Sequence, residues 1–407
     1  MDFKIVNGNV TAAKGFLSSG IHCGLKKNTL KRDLALIYSE VPCVAAGVYT
    51  KNKVKGAPIY ITKEHLANKK AQAIICNSSN ANTCNGDDGL KKAKKMAQLQ
   101  SKALNLKTDE VLVASTGVIG VPLNIDAIKD GIPLLTERLS KEGNNDASSA
   151  IMTTDTFEKQ YALQFNLGEK IITIGAIAKG SGMIEPNMGT MLSFITTDIN
   201  ISPELLDEAL KTTVRISYNR VSVDGDTSTN DMVLILANGL ACNDRVTEKN
   251  DYYYTFLEAL KTLNIFLAKK IAKDGEGATK LIECKVIGAK TEEDGVILAK
   301  SVINSNLVKT ALFGSDANWG RILCSLGYSK AHFDPNKVNV FFESSSGSIL
   351  VCNQGKSVEF DENKARKILL QDEIVIKIEL FIGEYQVSAW GCDLSYDYVK
   401  INGDYRS

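Results

Sequence analysis

The run Lys179-Gly180-Ser181-Gly182-Met183-Ile184-Glu185-Pro186-Asn187-Met188-Gly189-Thr190-Met191-Leu192 constrains this chain more than any other stretch. An apolar segment before it, residues 171–178, reads as a buried strand, and residues 192–197 read as a second one. Between them, Thr190 follows Gly189 at the mouth of the second strand. A hydroxyl so placed can attack the preceding carbonyl and turn the peptide into an ester, which water then opens. Thr190 would become a new N-terminus, and an α-amine with an ordinary pKa of roughly 7.7–8.0 can serve as base for its own hydroxyl. Gly189 suits the scissile position because glycine tolerates backbone geometries that strain other residues. The same pair also fits a plain hairpin, since a Gly-rich turn leading into a strand commonly does no more than join two strands.

The rest of the chain narrows what other chemistry is available. Three histidines, His22, His65 and His332, stand apart from one another and from other ligand types at metal spacing, so no zinc site is expected. Nine cysteines are scattered and form no metal-type pairs. Reduced thiols, together with an N-terminus that lacks a signal-peptide core, point to a cytoplasmic protein. No segment reaches the roughly 18 apolar residues of a membrane span. A formal net charge of +1 gives no sign of a nucleic-acid partner. The lysine cluster at residues 91–95 reads as the solvated face of a helix whose other face carries Ala93, Met96, Ala97 and Leu104.

Elements follow without a strict βαβ rhythm, and 407 residues suffice for two or three domains. Residues 73–76, 110–115 and 232–237 read as core strands. Ser202-Pro203-Glu204 starts a helix, with Ser as N-cap and Pro at the first helical position. A longer helix fits residues 252–273, where Phe256, Leu260, Leu263, Leu267 and Ile271 recur at helical spacing. After about Cys284 the texture turns to strands: 296–302, 338–342, 349–352, 373–381 and 384–390, the last two joined as a hairpin at Gly383-Glu384. A second, smaller α+β domain is therefore expected at 284–395, after a main domain at 1–283 and before a tail at 396–407.

Several blocks recur in an order that identifies a family. They are Asn77-Ser78-Ser79-Asn80-Ala81-Asn82, Ser115-Thr116-Gly117-Val118-Ile119-Gly120, Met152-Thr153-Thr154-Asp155-Thr156, the run 179–192, residues 219–231, Gly275-Glu276-Gly277-Ala278-Thr279-Lys280, Asn318-Trp319-Gly320-Arg321-Ile322 and the terminal Asn402-Gly403-Asp404-Tyr405-Arg406-Ser407. On these the chain resembles the ornithine acetyltransferase, or glutamate N-acetyltransferase, family of cyclic arginine biosynthesis. It departs from that pattern at Gly189 (usually Ala), Ser79 (usually Gly), Ala317 (usually Pro) and Ser407 (usually Thr).

The resemblance implies an α+β fold whose main domain is an αββα sandwich of the self-processing N-terminal-nucleophile type. It implies cleavage between Gly189 and Thr190 into chains 1–189 and 190–407, paired as an α2β2 heterotetramer. The acetyl group of N2-acetylornithine would pass to Thr190 and then to glutamate. Acetyl-CoA serves as a second donor in some members, and no cofactor or metal is implied. Thr116 and Gly117 would form the oxyanion hole. Thr153, Lys179, Thr190, Glu276, Asn402 and Ser407 would contact the substrate, whose carboxylate and distal ammonium call for one cation and one anion. Two other readings stay open: a related self-processing aminopeptidase or amidase, and a non-catalytic amino-acid-binding protein.

Two motifs promise less. Residues 275–280 lack the phosphate-loop pattern and follow a helix instead of a strand. Residues 224–231 look like a calcium loop, but Ile235 stands where a bidentate Glu is needed. That segment reads as a polar turn ordering the site, with Asn230 as a supporting residue.

Overall fold

Strand β3 (Leu34–Tyr49) organises the larger part of the molecule. The computed structural model describes residues 3–185 and 191–404. Gly189, Thr190 and Ser407 lie outside these. Contacts divide the chain into two compact units: residues 3–180, 191–219 and 227–267 form the first, and 181–185, 220–226 and 268–404 the second.

The first unit also contains β1 (Lys4–Ile5), β2 (Phe16–Ile21), β4 (Lys70–Asn80), β5 (Val111–Val118), β6 (Lys159–Leu167), β7 (Lys170–Lys179), β8 (Leu192–Thr197) and β9 (Met232–Ala237). These strands make one nine-stranded sheet in the order β1-β6-β7-β8-β9-β3-β4-β5, with β2 paired to β3. The first half of β3 pairs with β2 and β4, from Leu34↔Asn77 to Tyr38↔Ala73. Its second half pairs with β9, from Val44↔Ala237 to Tyr49↔Met232. The register shift between Tyr38 and Cys43, around Pro42, is where β2 gives way to β9, while β4 pairs on both sides of it as far as Val44↔Lys70. Proline cannot donate to a ladder, so the break falls where it costs least.

The sheet thus has two leaves with a shared core. Ala35 and Ile37 of β3, Ile74 and Cys76 of β4, and Leu112 and Ala114 of β5 meet Ile177, Phe194, Leu234 and Leu236 of the other leaf. The intervening residues Leu34, Leu36, Ala73, Ile75, Val111 and Val113 point the opposite way, as the two-residue strand period requires. They pack on helices α1 (Ala57–His65), α2 (Gly86–Leu104) and α3 (Ile125–Glu137). A short helix, α4 (Asn144–Ala150), adds Ala147 and Ala150 to the shared core. The other leaf carries α5 (Pro203–Ile216) and α6 (Asp251–Lys273). Tyr161 of β6 stacks on Phe266 of α6 at 3.9 Å between ring centroids. Asn264 Nδ2 donates to Thr213 Oγ1 at 3.0 Å, tying α6 to α5. As expected, Ser202 caps α5, its hydroxyl accepting from the Leu205 N–H.

In the second unit, β10 (Leu281–Ala289), β11 (Asn339–Ser344), β12 (Gly347–Asn353), β13 (Lys356–Ser357), β14 (Glu373–Glu379) and β15 (Tyr385–Cys392) form a six-stranded sheet in the order β13-β12-β11-β14-β10-β15. Helices α7 (Glu292–Asn304), α8 (Asn306–Phe313), α9 (Trp319–Gly327), α10 (Glu362–Leu369) and α11 (Tyr396–Gly403) complete it. Two expectations fail here. Residues 296–302 are helical, inside α7, because Thr291 caps that helix and Glu292, Glu293 and Asp294 fill its first turn. Residues 373–381 and 384–390 are strands but not a hairpin. β10 runs between them, parallel to β14 and antiparallel to β15.

Among the described residues no single helix is long and apolar enough to cross a membrane. The bent pair α7–α8 passes on composition, and its Leu298, Val302, Val308 and Leu312 lie in the core of the second unit.

Candidate active site

The first unit brings Thr116, Gly117 and Lys179 together. The sequence reading ends the strand before Thr116. In the structure β5 runs on to Val118, because β4 also continues and pairs with it, Ser78↔Thr116 and Ser79↔Gly117. Thr116 and Gly117 are therefore strand residues, not a turn. Lys179 ends β7 and is only 8% exposed. Its ammonium donates to Thr116 Oγ1 at 3.2 Å. A hydroxyl that accepts from an ammonium keeps its own proton to donate elsewhere, which is what an oxyanion requires.

Gly117 has φ +132°, and a Cβ there would stand 2.2 Å from the Ser79 carbonyl carbon. Only glycine fits that close approach of two backbones. Ser79 itself has φ +93°, a conformation that suits glycine better than the serine present here.

Asn230 pins the ends of β4 and β5. Its Oδ1 accepts from the hydroxyls of Thr83 and Thr229, each at 2.6 Å. Its Nδ2 donates to the carbonyls of Ala81 at 2.5 Å and Ser115 at 3.0 Å. All the capacity of that buried amide is used, so the segment leading into Thr116 is rigid.

Asp155 does the same for Thr153 and the end of β7. Its carboxylate accepts from Lys159 Nζ at 2.6 Å, Gly180 N at 2.8 Å and Thr153 N at 3.0 Å. Burial alone would raise the Asp155 carboxyl. The charges of Lys179 and Lys159 and the hydrogen bonds outweigh it and hold Asp155 well below the usual carboxylate range. Thr153 borders a cleft of about 720 Å3, lined also by Lys26, Arg32, Met152, Asp155 and Phe157. Lys26 donates to the carbonyls of Arg32 and Met152, and burial lowers its ammonium to about 8.

The second unit brings Glu276 and Asn402 together. Glu276 follows the end of α6, is 6% exposed, and gives its backbone N–H to the Ser181 carbonyl at 3.0 Å. Its carboxylate accepts from Asn402 Nδ2 at 2.8 Å. Gly182 lies so close that a Cβ would meet that carboxylate at 2.3 Å. The tail residue Asn402 belongs to α11, which Ser395 caps. Asp224, in the turn expected to be polar, accepts from the N–H groups of Met183 and Ile184 at 2.7 and 2.8 Å. Burial raises its carboxyl despite those bonds.

Two residues of this chemistry escaped the sequence reading. Asp155 stands within a quoted block, and its partner Lys159 four positions on was the available signal. Asp231 closes the polar turn and is 2% exposed. Nothing in its spacing marks it out.

The layering of helices, two sheet leaves and helices defines the class: an αββα sandwich with an added α+β unit. The ArgJ family model matches residues 17–407. The chain is 54% identical over 405 residues to arginine biosynthesis bifunctional protein ArgJ 1 of Clostridium acetobutylicum, covering 99% of each. It is 50% identical over 404 residues to the ArgJ bifunctional protein of Caldanaerobacter subterraneus subsp. tengcongensis, covering 99% of this chain and 100% of that one. The crystal structure of the Bacillus halodurans protein of the same name matches with a TM-score of 0.50 at 45% identity, over 53% of this chain and 99% of that chain. The chain belongs to the ArgJ family.

Proposed function

We propose that this protein is an arginine-biosynthesis acetyltransferase that moves the acetyl group of N2-acetylornithine to glutamate through an acetyl-Thr190 intermediate. The observation that carries this reading is the Lys179–Thr116 hydrogen bond beside the strained Ser79-Gly117 pairing. It supplies a hydroxyl donor and a backbone N–H at one strand end, the parts that a tetrahedral oxyanion needs. Self-cleavage between Gly189 and Thr190 exposes the nucleophile, and its α-amine then acts as base. By charge, Lys179 suits the substrate carboxylate and Glu276 the distal ammonium. Thr153, Asn402 and Ser407 complete the proposed set of contacts.

The relatives are named bifunctional, which favours acetyl-CoA as a second acetyl donor for glutamate. No cofactor enters the reaction, and the cleavage products pair as an α2β2 heterotetramer.

Brief mixing with acetylornithine alone should add one acetyl group to the 190–407 fragment, and fragmentation mass spectrometry should locate it on Thr190. Thr116→Ala should lower kcat by about 100-fold, the usual loss for one oxyanion donor. Normal transfer to glutamate with no trappable acetyl-Thr190 would make direct transfer in a ternary complex the better account. Hydrolysis of acetylornithine that glutamate does not divert would favour an amidase.

A further inference from the structure

Lys26 brings to the cleft beside Thr153 a positive charge that no carboxylate contacts among the described residues. It lies in the loop 22–33 between β2 and β3, which the side chain of Asp33 shapes. That carboxylate accepts the N–H of Cys23 at 2.7 Å and those of Leu25 and Lys26 at 2.9 Å, and it faces His22 at 3.0 Å. With the backbone so fixed, the Lys26 ammonium donates to the Arg32 carbonyl at 2.6 Å and the Met152 carbonyl at 2.8 Å. Two of its three N–H donors are thereby used, both on neutral oxygens.

The loop is anchored to the proposed oxyanion strands, for Ser79 Oγ donates to the Leu25 carbonyl at 3.1 Å, one residue before Lys26. The Met152 carbonyl that holds the ammonium likewise stands one residue before Thr153. Lys26 and Lys179 act on the same two buried groups, the thiol of Cys76 and the carboxylate of Asp155. Two cations thus border one region of the first unit. Burial lowers the Lys26 ammonium, and the charges of Asp33 and Asp155 do not offset it. An ammonium in that state gains from an anion brought to its remaining N–H. The rest of the lining limits which anion fits. Arg32 is already paired with Asp146 at 2.7 Å, and the charges of exposed Lys31 and half-buried Glu158 oppose each other. One free donor on one ammonium suits a single carboxylate, whereas a phosphate-rich tail calls for several donors.

The proposed transfer takes one amino acid whose side chain ends in an ammonium and another whose side chain ends in a carboxylate. By charge, Glu276 suits the first and opposes the second, and Lys26 does the reverse. We propose that Lys26 receives the side-chain carboxylate of the acceptor and so makes glutamate the preferred acceptor. This rests on the reading that Thr153 and Lys179 contact the substrate. The acceptor's α-carboxylate then goes to Lys179 and its side-chain carboxylate to the cleft wall that Lys26 shares with Thr153. The ammonium of the ornithine side chain is repelled by Lys26, so donor and acceptor part company at the side chain.

The test is acetyl transfer from acetylornithine by the purified protein to glutamate and to glutamine, which keeps the shape of glutamate without its side-chain charge. Wild type should prefer glutamate. Lys26→Met should lower kcat/KM for glutamate by about 10- to 100-fold, the usual weight of one hydrogen bond to a charged group, and lower that for glutamine much less. The loss should appear in the KM for glutamate more than in kcat. A Lys26 that merely holds the loop would lower both acceptors alike, and an unchanged ratio between them would overturn the proposal. A wild type indifferent between the two acceptors would overturn it as well. Should Lys26→Met not fold, judged by circular dichroism and the thermal midpoint, Lys26→Gln repeats the test with an amide left to serve the loop. A raised KM for acetyl-CoA with the glutamate preference intact would assign the charge to a phosphate and overturn the proposal. A wild type that transfers acetyl to neither acceptor would refute the transferase reading itself and the proposal with it, an outcome told apart because it needs no variant.

Discussion

At the scale of single residues, backbone strain gathers where the proposed oxyanion donors are. Ser79 holds φ +93° opposite Gly117 at φ +132°. For a side-chain-bearing residue such a conformation costs about 1–3 kcal/mol, and it persists only where the surroundings over-determine it. Here they do, through the β4–β5 pairing and the amide of Asn230. Ser79→Gly should therefore raise stability by about 1 kcal/mol in urea unfolding, with the Ser79 hydroxyl bond to the Leu25 carbonyl as the opposing loss. A fall in stability would mean that this hydrogen bond outweighs the strain. The glycine expected from similar sequences at position 79 marked this place, but no pattern within the chain itself did. Lys179 and Thr116 were likewise legible only by resemblance, because their meeting depends on strands far apart in sequence.

At the scale of elements, those with a clean period were readable and those with a mixed one were not. β7, β8, β9, α5 and α6 lie close to where apolar runs and caps put them. The run from Val296 to Val302 reads as a strand because Val296, Ile297 and Val302 are β-branched or apolar in near succession. Burial picks out Leu298, Ala299, Val302 and Ile303, a helical stripe, and the capping Thr291 with its acidic first turn was the better signal. Thr291 accepts from the Asp294 N–H at 3.0 Å and donates to its carboxylate at 2.8 Å. Thr291→Ala should destabilise the protein by about 1 kcal/mol, measurable as a lower urea midpoint at unchanged slope. The hairpin failed for a different reason. Adjacency in sequence favours pairing, but β10 had already claimed the position between β14 and β15. β3 was hidden by Glu40 and Pro42 at its centre, which interrupt its apolar pattern at the very point where it passes from one leaf to the other.

At the scale of the whole molecule, the proposed cut falls between strands that pair with each other. β7 and β8 are antiparallel neighbours from Ile174↔Thr197 to Lys179↔Leu192, and β9 closes on β3. Fragments 1–189 and 190–407 would share one continuous sheet, so breaking the peptide leaves the ladder intact. The same topology sets an order of events. The strands that bracket the proposed cut are held only once β8 lies on β7 and β9 and β9 lies on β3, a closure across much of the chain and hence slow. Bond breakage therefore becomes a clock started by assembly of the sheet. In a synchronised cell-free synthesis, the two fragments should emerge after a lag behind full-length chain, and a slower-folding variant should lengthen that lag. Fragments appearing while the chain is still being made would show that a shorter piece of the fold can start the clock.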